Sequence, residues 1–134
     1  MSQRGIIQSA FDQLCRKMAE LDRHAACYCQ DKKGDCFSTL CNGDPEHPLN
    51  VVCYGSNSGA CSKVGRAPCA AGLQTGQEII ICPSFWTPKC EAAHCVLIHE
   101  ILHVCGVTAH AGANCFRLGS IFKSCGPRPT IATL

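Results

Sequence analysis

Several familiar signals are missing from this chain, and each absence narrows its function. No apolar run approaches the ~20 residues that span a membrane, so no membrane span is expected. The 12 basic and 10 acidic residues, net charge +2, are spread along the sequence. Without the lysine and arginine clusters that grip phosphates, nucleic acid is not an expected partner. The phosphate-cradling G-x-x-x-x-G-K-[ST], the dinucleotide fingerprint G-x-G-x-x-G and the nucleophile elbow G-x-S-x-G are all missing. The N-terminal stretch MSQRGIIQSAFDQLCRKMAE has neither a signal-peptide apolar core nor a small-residue cleavage site. No acidic residue follows Glu100, and no methionine follows Met18.

Cysteine, by contrast, is abundant: 14 of 134 residues, the composition of a disulfide scaffold. Thiolate metal knuckles usually use Cys-x-x-Cys pairs, and the closest spacing is Cys27-Tyr28-Cys29. Disulfides need an oxidising compartment, extracellular or periplasmic. Either Met1 begins a trimmed form of a secreted protein, or the chain leaves its cell by a route that reads no Sec signal. The length suits one domain over residues 1–134, with a single modest core.

Ile7, Phe11, Leu14, Met18 and Leu21 recur at steps of four and three, which predicts one amphipathic helix over 3–23. From Ala26 to Gln77 the pattern dissolves into turn residues, and long loops tied by Cys27, Cys29, Cys36, Cys41, Cys53, Cys61 and Cys69 are expected. Two short strands stand out, LNVVCY (49–54) and EIIICP (78–83), the second carrying three β-branched isoleucines. A helix over about 88–105 follows, with Thr87 as cap, Pro88 as first residue and Gly106 as stop. Cys115, Leu118, Phe122 and Cys125 have helical spacing, and GPRPTIATL reads as a tail.

Within the 88–105 helix lie His99, Glu100 and His103, in the order H-E-x-x-H. Histidines four apart share a helix face, so both imidazoles can reach one ion at roughly 2.0 to 2.1 Å. A glutamate next to the first histidine stands beside such an ion and can deprotonate a water. On these residues, and on the strand-then-helix order, the chain resembles zinc metallopeptidases of the H-E-x-x-H (zincin) class. The resemblance implies a small α+β zincin-like domain with an active-site helix, few short strands and long disulfide-stapled loops. It also implies a Zn²⁺ cofactor and Glu100 as general base and acid.

The families of that class differ in their third ligand. Thermolysin-like enzymes use a downstream glutamate and aspzincins a downstream aspartate, and this chain has neither. Metzincins use H-E-x-x-H-x-x-G-x-x-H and a methionine turn. Here Gly106 fits, the last histidine, His110, comes one residue late, and no methionine follows. The ligand set therefore looks metzincin-like, with His99, His103 and His110 as expected metal ligands. If His110 does not serve, an upstream residue or a cysteine thiolate must, with Cys115 and Cys95 the first to examine, although a disulfide suits Cys95 better. His94 stands well around the helix from the metal side. Tyr28, Tyr54, His24, His47 and Arg117 are all open as stabilisers of an oxyanion, and Phe85 and Trp86 suit either a pocket wall or the core.

The expected substrate is a protein or peptide. The combination of oxidised use with no Sec signal is similar to toxins delivered by contractile or type VI secretion machines, which implies a secretion apparatus and an immunity or inhibitor protein as partners. Two alternatives stand beside it: hydrolysis of peptidoglycan peptides, and a non-catalytic disulfide-rich binding module whose zinc is structural.

Overall fold

The computed structural model describes residues 2–28, 35–43, 45, 46, 48–62, 68–73 and 77–106, and for 26–28 the backbone only. In order, the elements are helix α1 (Gln3–Cys15), helix α2 (Met18–Tyr28), helix α3 (Cys36–Asn42), strands β1 (Asn50–Cys53), β2 (Ala70–Leu73) and β3 (Glu78–Ile81), and helix α4 (Ala93–Val104). Short 3-10 turns cover Gly59–Cys61 and Pro83–Trp86. The expected α+β class with few short strands is what forms. Among the described residues, no helix is long and apolar enough to cross a membrane.

The single helix expected over 3–23 is two. Ser2 caps α1 by accepting the Gly5 amide at 3.1 Å, and α1 buries Ile7, Ala10 and Leu14. The chain then tightens at Arg16 and Lys17, where the Lys17 amide donates to the Leu14 carbonyl. Leu21 falls back onto the same core because the turn preserves the periodicity. Nothing local marks this break: it carries neither glycine nor proline, and the end of α1 is held by the Cys15–Cys41 disulfide to the end of α3.

Helix α3 lies inside the stretch expected to be loop. Its own N-cap residue, Asp35, makes no side-chain capping bond. Asp22, reaching across from α2, does so instead: its Oδ1 accepts the Phe37 amide at 2.8 Å, and its Oδ2 accepts the Ser38 amide at 3.1 Å and the Ser38 hydroxyl. A carboxylate at a helix start satisfies orphan amides and faces the positive end of the dipole. The cap comes from a residue remote in sequence, so local pattern does not reveal it.

Both expected strands form, as β1 and β3, and pair in parallel with Val51 opposite Ile79. The third strand, β2, was not expected; it runs antiparallel on the other side of β3, with Ala71 opposite Ile80. As the central strand, β3 is covered on both faces. Ile79 and Ile81 join the main core with α1, α2 and α4, while Ile80 packs on the other face with Ala71, Cys61 and Cys82. That two-sided cover accounts for the unbroken isoleucine run.

The helix that carries His99, Glu100 and His103 is shorter than the sequence suggests. Thr87 and Pro88 do not start it. The Thr87 amide closes the Pro83–Trp86 turn onto the Ser84 carbonyl, and α4 begins only at Ala93, after Ala92. The intervening chain is taken by the Cys69–Cys90 disulfide. At the other end Gly106 adopts φ +103, a backbone state that favours glycine, so the stop occurs where expected.

Four disulfides join described residues: Cys15–Cys41, Cys36–Cys105, Cys61–Cys82 and Cys69–Cys90. Cys95 is disulfide-bonded as well. The Cys36–Cys105 bond spans 69 residues, and restraining a loop of that length removes about 4 kcal/mol of unfolded-state entropy in the chain model. Cys53, on β1, is a free and exposed thiol. The helix expected around 115–125 and the tail lie outside the described residues.

Replacing Asp22 by Ala leaves the Phe37 and Ser38 amides without their acceptor, and should lower unfolding stability by about 1–3 kcal/mol. Urea denaturation of the oxidised protein would measure the loss, and an unchanged midpoint would contradict the capping role.

Candidate metal centre

Every side chain of α4 from His94 to Val104 is buried, which the sequence anticipates through apolar residues on all sides of the helix. Three of the buried groups are polar and adjacent: His99 is 3% exposed, Glu100 0% and His103 8%. The rings of His99 and His103 meet edge to face, 74° between planes, with their Nε2 atoms 3.2 Å apart. One ligand atom from each of His99, Glu100 and His103 lies within 4.8 Å of the others.

This spacing suits a shared ion. Two nitrogens at 2.0–2.1 Å from one tetrahedral ion stand about 3.3–3.4 Å apart, close to the observed 3.2 Å. The donor set of two imidazoles and a neighbouring carboxylate suits zinc.

Glu100 is held from outside its own helix. Its Oε1 accepts the backbone amide of Gly72, on β2, at 2.9 Å. Its Oε2 is buried, and among the described residues no donor reaches it. Burial pushes the Glu100 carboxyl well above the usual carboxylate range, with the Gly72 amide pulling part of the way back. His94, also on α4, is shifted down by burial and partly back up by Glu91. Its Nε2 stands 3.6 Å from Cys95 Sγ, and it is not part of the three-residue group.

Comparison of the chain with protein-family models, curated proteins and solved structures gives no match. The geometry of the site therefore carries the functional argument by itself.

Of the residues singled out from sequence, the fold brings together His99, Glu100 and His103. His110, Cys115, Arg117 and His47 lie outside the described residues, as does the side chain of Tyr28. Cys95 is removed as a thiolate ligand by its disulfide. Tyr54 packs with Ile80 and the Cys61–Cys82 bond, on the sheet face away from the α4 core. Phe85 is buried in the main core with Trp86 against it, ring centroids 4.8 Å apart, so this pair is core. The residue missed was Gly72. Its available signal was a glycine inside a short apolar stretch, AAGL, which often marks close backbone approach.

A raised carboxyl pKa in the fold means stability is greatest at low pH and falls as pH rises towards the folded-state value. In the metal-free protein, Glu100→Gln should therefore raise the melting temperature more at pH 8 than at pH 5. A difference of about 3 °C would correspond to roughly 1 kcal/mol in a domain of this size. Calorimetry at the two pH values checks it; an equal shift at both would contradict the raised pKa of the buried carboxyl.

Proposed function

We propose that this chain is a zinc-dependent peptidase of zincin type, acting on a protein or peptide in an oxidising compartment. The observation that carries the reading is the convergence of the His99 and His103 Nε2 atoms at ion-sharing distance, with the Glu100 carboxylate beside them. In this reading His99 and His103 hold the ion and His110 supplies the third ligand. Gly106 turns the chain out of α4 four residues before His110, and no acidic residue downstream competes for the role.

A zinc ion bound there supplies Lewis acidity towards a water and a peptide carbonyl. Glu100 takes the proton of the attacking water and returns it to the leaving amine. The disulfides favour a place of action outside a reducing cytoplasm, as for a toxin delivered into a competitor's periplasm and restrained by an immunity protein.

A second reading, a structural metal site in a binding module, is favoured by the near-complete burial of all three side chains. A structural site is closed by four protein ligands, while a catalytic one keeps a position for water.

The protein should bind one zinc per chain, and His99→Ala or His103→Ala should weaken binding at least about ten-fold. Glu100→Gln should keep the zinc and lower turnover of an unstructured protein or peptide by about 10²-fold or more. Wild-type turnover in Glu100→Gln would overturn the catalytic role. Absorption spectra of the cobalt form count the ligands, and four protein ligands would support the structural reading. Directed to a bacterial periplasm, the wild type should be toxic and Glu100→Gln harmless.

A further inference from the structure

The geometry points to Gly72 as a positioning residue for Glu100: its amide holds Oε1, and its missing side chain admits the α4 backbone to the edge of β2. The inference deepens the reading of Glu100 as the proton-transferring group and rests on it for its catalytic consequence, though not for the contact itself.

The sheet register frees the Gly72 amide for this purpose. The Cys82 amide donates to the Cys69 carbonyl, and Ala70 stands opposite Ile81. In an antiparallel ladder, hydrogen-bonded and non-bonded pairs alternate, so Ala71 and Leu73 bond to β3 while Ala70 and Gly72 turn their amides away from it. Since β2 is an edge strand among the described residues, the outward Gly72 N–H needs an acceptor elsewhere. Glu100 Oε1 supplies it at 2.9 Å.

Space is the second requirement. A Cβ at Gly72 would overlap the Glu100 carbonyl oxygen and sit 2.9 Å from its carbonyl carbon and 3.1 Å from its Cα. These are backbone atoms in the middle of a buried helix and cannot swing aside. The φ of Gly72 is not in the positive range, so glycine is required there by the approach of α4, not by its own conformation. The same residue thus sets how near the helix lies and which carboxylate oxygen is engaged. Oε2 is left as the oxygen without a donor among the described residues, which in the reading of Glu100 as proton carrier leaves it to exchange the proton.

Amide hydrogen exchange on the oxidised, zinc-loaded protein tests the contact without reference to activity. In the wild type the Gly72 amide should exchange slowly, together with Ala71 and Leu73. In Glu100→Ala it should exchange at least ten-fold faster while Ala71 and Leu73 stay protected. In Glu100→Gln, whose side-chain oxygen is still an acceptor, protection should return. Equal Gly72 protection in wild type and Glu100→Ala would overturn the inference, whether or not the protein proves to be a peptidase. For the catalytic consequence, an amide-to-ester replacement at position 72 removes the N–H and adds no bulk. Zinc affinity and KM should be unchanged and kcat should fall, by up to about 10²-fold for a misplaced catalytic group. Wild-type kcat in the ester protein would refute the positioning role. Gly72→Ala should be worse than the ester, because it also displaces α4; an alanine protein more active than the ester would count against the steric half of the argument.

Discussion

The contact between α4 and β2 is the constraint around which the molecule is arranged. Helix α4 is buried from His94 to Val104, so whatever chemistry its sequence carries must be accommodated inside. It approaches the sheet closely at Gly72 and Glu100, where a backbone amide meets a carboxylate and a missing side chain makes room. The apolar residues of α4 share one core cluster with Ile79 and Ile81 from β3, Ile7 and Leu14 from α1, Leu21 from α2 and Phe37 from α3.

Burying two histidines and a glutamate side by side is costly unless something compensates. The fold provides one hydrogen bond from β2 to Glu100 and sets the two Nε2 atoms face to face. A divalent cation held by those nitrogens would favour the ionised carboxylate, opposing the desolvation that now raises its pKa. Burial thus makes these three polar groups a costly arrangement by themselves, which is why they read as a candidate site and not as filler.

The disulfides act on the same helix. Cys95 is bonded four residues before His99, and Cys105 is bonded to Cys36 two residues after His103. The segment that carries His99, Glu100 and His103 is therefore fixed covalently on both sides. Cys69–Cys90 fastens the chain just before α4 to the residue preceding β2, and so reinforces the register in which Gly72 faces Glu100. A core of this size gains much from such restraints on the unfolded chain.

Much of this was legible in the linear pattern, for reasons of period and composition. The H-E-x-x-H spacing puts two imidazoles on one helix face wherever the helix is placed. The isoleucine run of β3 and the glycine stop at Gly106 are local properties of their own residues, and the cysteine count announces a stapled scaffold. Other features depend on residues far apart in the chain. The cap of α3 comes from Asp22 on α2, the break between α1 and α2 coincides with a disulfide to Cys41, and α4 starts late because Cys90 is drawn to Cys69. Strand β2 was hidden because Ala-Ala-Gly-Leu carries little β-propensity, and only pairing with β3 makes it a strand. By itself, then, the sequence determined which side chains could share an ion, since a helix repeats on its own. Only the tertiary structure decided that Glu100 is held by Gly72, because a backbone amide has no side-chain identity and acquires its role from the sheet edge and the helix packed on it.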